Sequence, residues 1–350
     1  HEADLMLRRL PATENEGTRA THHQCRRQHH NRVANRHYAG RPAPTRARAP
    51  PQGESLSAGF SHACGITPIG QVKCWGRNAT GNLGDGTILT SNVPVAATGT
   101  FVTAAVAAGD DHTCAATPGG GILCWGCNSM GQFGNGTGIS SYTPVTIPGI
   151  SNVQELGAGS RFTCARYADG AIRCWGYNSY GQLGNGTLTN VTTPVQVSGI
   201  TSAVSFDTGL VSSCALLADS TVKCWGYNGY GGLGDGSQTH RSTPVAVSGL
   251  SGAVSVSAGS YHSCAVLADG TIRCWGRNNE GQLGNGSNLL STTPVQVSGL
   301  SNAAYITAGA AFACAMLQDS SLVCWGDNGY GGLGDGSFFN SNVPVSVTGF

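Results

Sequence analysis

Fourteen cysteines stand in this 350-residue chain, and twelve of them fall into pairs of a single spacing. Cys64/Cys74, Cys114/Cys124, Cys164/Cys174, Cys214/Cys224, Cys264/Cys274 and Cys314/Cys324 are each ten residues apart. The midpoint is Asp169, Asp219, Asp269 or Asp319 in four of the pairs. A three-residue turn such as Ala268-Asp269-Gly270, with its glycine left-handed, sets Cys264 opposite Cys274. Counting outward, the pair falls at a non-hydrogen-bonded site, where Cα atoms approach most closely. That separation suits a disulfide. Each bridge closes about 11 residues and contributes roughly 2–3 kcal/mol on the chain-entropy account. The competing reading is twelve small buried thiols in a reducing compartment. The spacing is not a zinc pattern. Cys25 and Cys127 are left over, and either could be free.

Other chemistry is weaker. The run His22-His23-Gln24-Cys25-Arg26-Arg27-Gln28-His29-His30 carries imidazole and thiolate ligands, but a solvated basic tail is the simpler reading. Asp327-Asn328-Gly329 followed by Asp335 offers oxygens to calcium. Hard cations want carboxylates, however, and position 335 becomes Asn at 135, 185 and 285. His62, His112 and His262 share one slot that holds Phe162, Ser212 and Phe312 elsewhere, which marks a packing position. No unit departs from the others in a way that resembles a nucleophile, base and orienter. The expectation is no catalytic residue, no metal and no cofactor. Asn-x-Ser/Thr acceptors stand at Asn78, Asn135, Asn185, Asn190 and Asn285, three of them products of a repeated turn.

The elements that carry these residues recur every 50 residues, as Trp75, Trp125, Trp175, Trp225, Trp275 and Trp325 show. A fixed period of this length signals an array. In the fifth unit, Ala253-Val254-Ser255-Val256-Ser257 alternates and His262 to Leu267 follows a short tip. Thr271 to Trp275 then returns from a turn, and a Gly-rich loop leads to Pro294-Val295-Gln296-Val297. Four strands per repeat without a helical period predict propeller blades. Gly276, Gly281, Gly284 and Gly286 suit left-handed or crowded backbone, and Asn278 and Asn285 suit Asx turns. The six Trp residues read as blade-packing groups.

The fold class is therefore all-β: a β-propeller of four-stranded blades over residues 54–350, six-bladed or part of a seven-bladed ring. The array opens on Leu56-Ser57-Ala58-Gly59 and ends on Val343-Pro344-Val345-Ser346-Val347. This offset predicts that the last strand completes the first blade and removes the open edge. Residues 1–53 read as a separate basic His/Arg/Pro-rich disordered tail.

The frame Ala-Gly-x-x-His-Ser/Thr-Cys-Ala, then Cys-Trp-Gly-x-Asn-x-x-Gly-Gln-Leu-Gly, clearest from Ala258 to Leu283, resembles the regulator of chromosome condensation repeat. The resemblance covers about 300 residues. It implies a β-propeller, usually of seven blades, and brings two functions with it. The family's namesake exchanges guanine nucleotide on a small GTPase by inserting a wedge from one blade. The unbroken spacing of the Trp residues leaves no room for such an insertion in an internal unit. Similar propellers inhibit extracellular β-lactamases, so an inhibitor of an extracellular enzyme is a further alternative. The leading expectation is a non-catalytic protein-binding propeller.

Charge is divided unevenly. Residues 1–50 hold ten Arg and four acidic residues, while residues 51–350 hold nine basic and fourteen acidic. The array is mildly acidic, which argues against a phosphate-binding surface for nucleic acid. No run of 18 apolar residues occurs, so no membrane span is expected. No signal peptide is visible, and paired cysteines place the protein outside the cell or on its surface. The expected partner is a protein of unknown identity, met by a monomer.

In an up-and-down blade the Ala-Gly tip and the long loop after Trp-Gly emerge on one face. The units differ most there. One slot presents Arg77, Tyr177, Tyr227, Arg277 and Asp327, another presents Tyr180, Tyr230, Glu280 and Tyr330, and a tip presents Tyr261. Scaffold positions in a repeat should agree, whereas partner-reading positions are free to diverge. Tyr and Arg are enriched in binding hot spots. The candidate binding residues are Arg77, Tyr177, Tyr180, Tyr227, Tyr230, Tyr261, Arg277 and Tyr330. The competing reading has these tyrosines packing against the next blade.

Overall fold

The computed structural model describes residues 56–99 and 101–349. The His22–His30 run, Cys25 and the 1–53 tail lie outside the described residues. Six four-stranded antiparallel sheets, each built from four consecutive strands, are arranged as a six-bladed β-propeller. In the fifth blade the strands are Ala253–Ala258, His262–Leu267, Ile272–Gly276 and Ser291–Gln296. The first strands surround a central channel, to which Ser57, Ala107, Leu156, Asp207, Ala258 and Thr307 each contribute from a different blade.

The hairpin between the second and third strands forms as its turn chemistry demands. Leu267 N–H donates to Thr271 O and Gly270 N–H to Leu267 O, both at 2.9 Å. Gly270 sits at φ +78°. Ser220 and Ser320 occupy the same slot at φ 62° and 71°. That turn aligns Cys264 with Cys274. All six expected pairs are disulfides: Cys64–Cys74, Cys114–Cys124, Cys164–Cys174, Cys214–Cys224, Cys264–Cys274 and Cys314–Cys324, with Cα atoms 4.0–4.1 Å apart. Cys127 is disulfide-bonded as well, which corrects the expectation that it could be free.

Each blade packs on the next through its long loop. The Trp indole N–H donates to a loop carbonyl of the preceding blade: Trp125 to Asn82, Trp175 to Gln132, Trp225 to Gln182, Trp275 to Gly232 and Trp325 to Gln282, at 2.9–3.0 Å. The loop glycine lies flat on the same indole, and a Cβ added to Gly184 would come within 2.9 Å of Trp225. These five Trp side chains are 0% exposed. A separate apolar cluster fills each of the five interfaces between consecutive blades, for example Leu283, Val297, Ile306 and Trp325 between the fifth and sixth blades.

The junction of the sixth blade with the first differs. Among the described residues, a Cβ on Gly334 would meet only Val347, and Gly336 has nothing within 4 Å. Trp75 is only half-buried. The expected strand exchange does not occur either. The strand Ser341–Ser346 pairs with Leu322–Gly326 of its own blade, and Leu56–Ala58 is the inner strand of the first. The run ending at Val347 is the outer strand of its own repeat, so the four-strand count closes within each unit and leaves no strand to lend.

Candidate functional site

The long loop is organised by one buried asparagine. Asn278 accepts Leu283 N–H on Oδ1 at 2.8 Å, while its Nδ2 donates to the carbonyls of Ser287 (2.8 Å) and Leu289 (3.0 Å). A single amide thus ties the two arms of the loop together. Asn285 does make the expected local turn, accepting Ser287 N–H at 3.2 Å. Asn78 plays the spanning role in the first blade and is 0% exposed, which removes it as a glycan acceptor. In the sixth blade Asn328 Nδ2 donates to Asp335 Oδ1 at 3.1 Å, so an N–H, not an oxygen, faces that carboxylate.

The disulfides underlie this loop without joining the surface. Cys74, Cys124, Cys174 and Cys224 each stand one residue before the Trp that precedes the loop, and all four are 0% exposed. They brace the strand from which the loop departs and present no sulfur to a partner.

The shared histidine slot lies at blade interfaces. His62 Nε2 meets Thr113 Oγ1 at 2.7 Å and His112 Nε2 meets Thr163 Oγ1 at 2.9 Å. Ala313 stands where a threonine would meet His262, and that ring makes no side-chain bond. Burial lowers His62 and His262 to about 4 and His112 to about 3, keeping all three neutral. Phe162 fills the same slot at 0% exposure.

Tip and long loop share one face. Within each internal blade the first residue of the long loop donates to the tip, as Arg277 N–H does to Tyr261 O at 3.0 Å. On this face the structure gathers Tyr177, Tyr180, Tyr227, Tyr230 and Tyr261 into one continuous aromatic cluster. Ring centroids are 6.3 Å apart for Tyr177–Tyr180, 5.2 Å for Tyr180–Tyr227, 6.2 Å for Tyr227–Tyr230 and 5.3 Å for Tyr230–Tyr261. Most of the pairs are edge-to-face, the arrangement aromatic quadrupoles favour. The Arg277 guanidinium lies 5.7 Å from the Tyr230 ring centre. The cluster crosses three blades and stays partly open, with Tyr180 36% exposed. Arg77 and Tyr330 sit on the first and sixth blades, outside this cluster.

His240 is a member that sequence reasoning missed. It stacks on Tyr227 with centroids 4.6 Å apart and lies edge-on to Tyr180 at 5.1 Å. Its Nδ1 accepts Asn228 N–H at 2.9 Å. Ser140, Asn190 and Asn340 perform that same capping task in their own blades. The signal was therefore a variable slot, present in every repeat, in which one aromatic ring replaced a small polar cap. Beside the cluster, Ser160 Oγ donates to Asp110 at 2.6 Å, and burial pushes the Asp110 carboxyl up to about 7 despite that bond. Arg161 is 6% exposed next to it.

Among the described residues no helix is long and apolar enough to cross a membrane. No curated protein matches the chain. Among solved structures it is similar to human WBSCR16, with 21% identity over 88% of this chain and 84% of the other, at a TM-score of 0.77. It is also similar to Prp20p of Saccharomyces cerevisiae, a protein characterised for binding Gsp1p and histones, with 21% identity, coverage of 83% and 76%, and a TM-score of 0.74. A third likeness is to the ectodomain of the Physcomitrella patens receptor kinase CR4, with 23% identity, coverage of 79% and 64%, and a TM-score of 0.52. At such identities these likenesses speak to the fold. The RCC1-like domain family itself matches residues 21–350, so this repeated, disulfide-pinned propeller belongs to the RCC1-like domain family.

Proposed function

We propose that the protein is a non-catalytic binding propeller that works in an oxidising, extracellular or cell-surface setting and holds a protein partner against its aromatic face. The observation that carries this reading is the cluster of Tyr177, Tyr180, Tyr227, Tyr230 and Tyr261 with His240. Rigid tyrosines offer large contact area at little entropic cost, and the braced loops beneath them hold their positions before any partner arrives. Candidate contact residues are these five with Arg277, and Arg77 and Tyr330 at the margin. The six disulfides support the compartment, since such bridges persist where thiols are not kept reduced. The CR4 propeller being an ectodomain fits the same setting.

The test is binding to proteins of the culture medium and, in parallel, of the cytosol, with the Tyr177→Ala/Tyr230→Ala double variant beside the parent chain. The expected outcome is a partner from the medium whose affinity drops at least about tenfold in the variant, as hot-spot loss predicts. The melting temperature should stay nearly constant. A steep fall in melting temperature with unchanged affinity would return the tyrosines to the scaffold. Guanine-nucleotide exchange is the rival reading, and fluorescent-nucleotide release from a Ran-type GTPase addresses it. No acceleration is expected, because the internal blades contain no inserted wedge.

A further inference from the structure

The exposed apolar side chains among the described residues are not scattered. Half of the large ones fall in three positions of the repeat, at residues 88–90, 138–140, 188–190, 288–290 and 338–340, where the long loop runs into the outer strand. Leu89 is 71% exposed, Ile139 60%, Leu188 59%, Leu289 78%, Phe338 71% and Phe339 82%. Successive blades repeat one another around the central channel, so these tips stand level around the rim of the face that carries the tips and long loops. The fourth blade departs, with Gln238-Thr239-His240 in these positions.

We propose that this apolar rim docks the propeller on a bilayer surface of zwitterionic lipid headgroups, the loop tips entering the interface without crossing it. Three observations select this occupant. The first is charge. Residues 86–92, 136–142, 186–192, 286–292 and 336–342 contain no Asp, Glu, Lys or Arg, and residues 51–350 hold fourteen acidic against nine basic residues. Uncharged tips on a mildly acidic body match an electroneutral surface and disfavour an anionic one. The second is the backbone. A peptide group that leaves water must keep its hydrogen bonds. At the tips those bonds are already made inside the loop. Leu289 N–H donates to Ser287 Oγ and Leu289 O accepts Asn278 Nδ2, both at 3.0 Å. Ile139 N–H donates to Thr137 Oγ1 at 3.3 Å and its carbonyl accepts Asn128 Nδ2 at 3.1 Å. The N–H groups of Leu89 and Phe339 donate to the hydroxyls of Thr87 and Ser337 at 3.2 Å. The third is layout. A protein hot spot gathers its anchors at the centre of one patch, whereas these side chains are distributed blade by blade around a ring, as contact with a planar apolar layer requires. The rim is independent of the tyrosine cluster, which docking turns toward partners carried on the same membrane.

The test is co-sedimentation of the full chain with phosphatidylcholine vesicles, with the melting temperature of each variant as the control for folding. The parent chain should pellet with the vesicles. Leu289→Ser/Phe338→Ser/Phe339→Ser should lower partitioning at least about tenfold, since interfacial binding scales with buried apolar area. Leu89→Ser/Ile139→Ser, on two other blades, should lower it as well. Ile69→Ser should leave it unchanged, because Ile69 is 79% exposed but lies in the turn between the second and third strands, on the opposite face. Failure to pellet, pelleting that requires added phosphatidylserine, or pelleting that the rim variants leave intact would overturn the proposal. A dimer in sedimentation equilibrium that the rim variants dissolve would assign the rim to a second copy and would overturn it too.

Discussion

The junctions within the array and the junction that joins its ends are made from the same repeat, yet they differ. Between consecutive blades an indole finds a carbonyl, a loop glycine finds the indole, and an apolar cluster closes over both. Between the sixth blade and the first, Trp75 and the Gly331–Gly336 loop lack those counterparts among the described residues. A 50-residue unit is therefore two half-interfaces: a loop offered forward and a Trp offered backward. Near-identity of the units makes the five internal junctions alike.

The largest expected effect breaks that comparison directly. Trp225→Ala removes a fully buried indole and its hydrogen bond, and should cost about 3–5 kcal/mol in denaturant unfolding. Trp75→Ala should cost less than half as much. Equal losses at both sites would mean that the seam is packed like the other junctions.

Next comes acid. His62, His112 and His262 are buried at internal junctions with folded pKa values of about 4, 3 and 4, below the ordinary 6.5 of an unfolded chain. Because the folded values are the lower ones, the stability these groups contribute is complete above pH 6.5. It is lost as the pH falls toward the folded values. At pH 5 each histidine should remove about 2 kcal/mol relative to neutral pH. His262→Phe copies the residue of the third and sixth blades and should flatten its share of the profile in urea titrations at several pH values.

A smaller effect concerns reduction. Cys314 is half-buried and Cys324 is 4% exposed, while in the other five pairs ten residues apart both cysteines are at 0%. Limited phosphine treatment followed by alkylation and peptide mapping should find Cys314–Cys324 opened first. An internal bridge such as Cys164–Cys174 or Cys214–Cys224 opening earlier would contradict this order of exposure.

How much was legible in the sequence depended on distance along the chain. The disulfides were legible because ten residues and a three-residue turn determine them locally, and Cys264 does stand opposite Cys274. Divergence within a repeated frame singled out the Tyr slots, and five of those tyrosines lie together in one cluster. His240 was not legible, because the slot it shares with Ser140, Asn190, Leu290 and Asn340 carries no pattern that marks a ring stacked on Tyr227. The spanning role of Asn278 was hidden too, since its carbonyl partners lie nine and eleven residues away. The supposed closing strand failed for a related reason. Val343 to Val347 reads equally well as an outer or a borrowed strand, and only its pairing with Leu322–Gly326 decides.

The smallest effect tests whether the sixth blade is weak throughout or only at its exposed side. Ser220 and Ser320 hold the left-handed turn position with φ of 62° and 71°, where Gly70, Gly120, Gly170 and Gly270 sit in the other blades. A residue with a Cβ is strained there by about 1 kcal/mol, and glycine relieves it. The flanking Asp219 and Asp319 each accept the backbone N–H two residues on, from Thr221 and Ser321 at 3.0 Å, so the two turns are locally equivalent. Ser220→Gly and Ser320→Gly should each raise stability by somewhat less than about 1 kcal/mol, part of the relief being offset by the greater freedom of glycine in the unfolded chain. Matching gains in urea unfolding would confine the difference between the blades to the seam. A gain from Ser220→Gly with none from Ser320→Gly would show that the sixth blade unfolds ahead of the rest, uncoupling its hairpin from the cooperative transition.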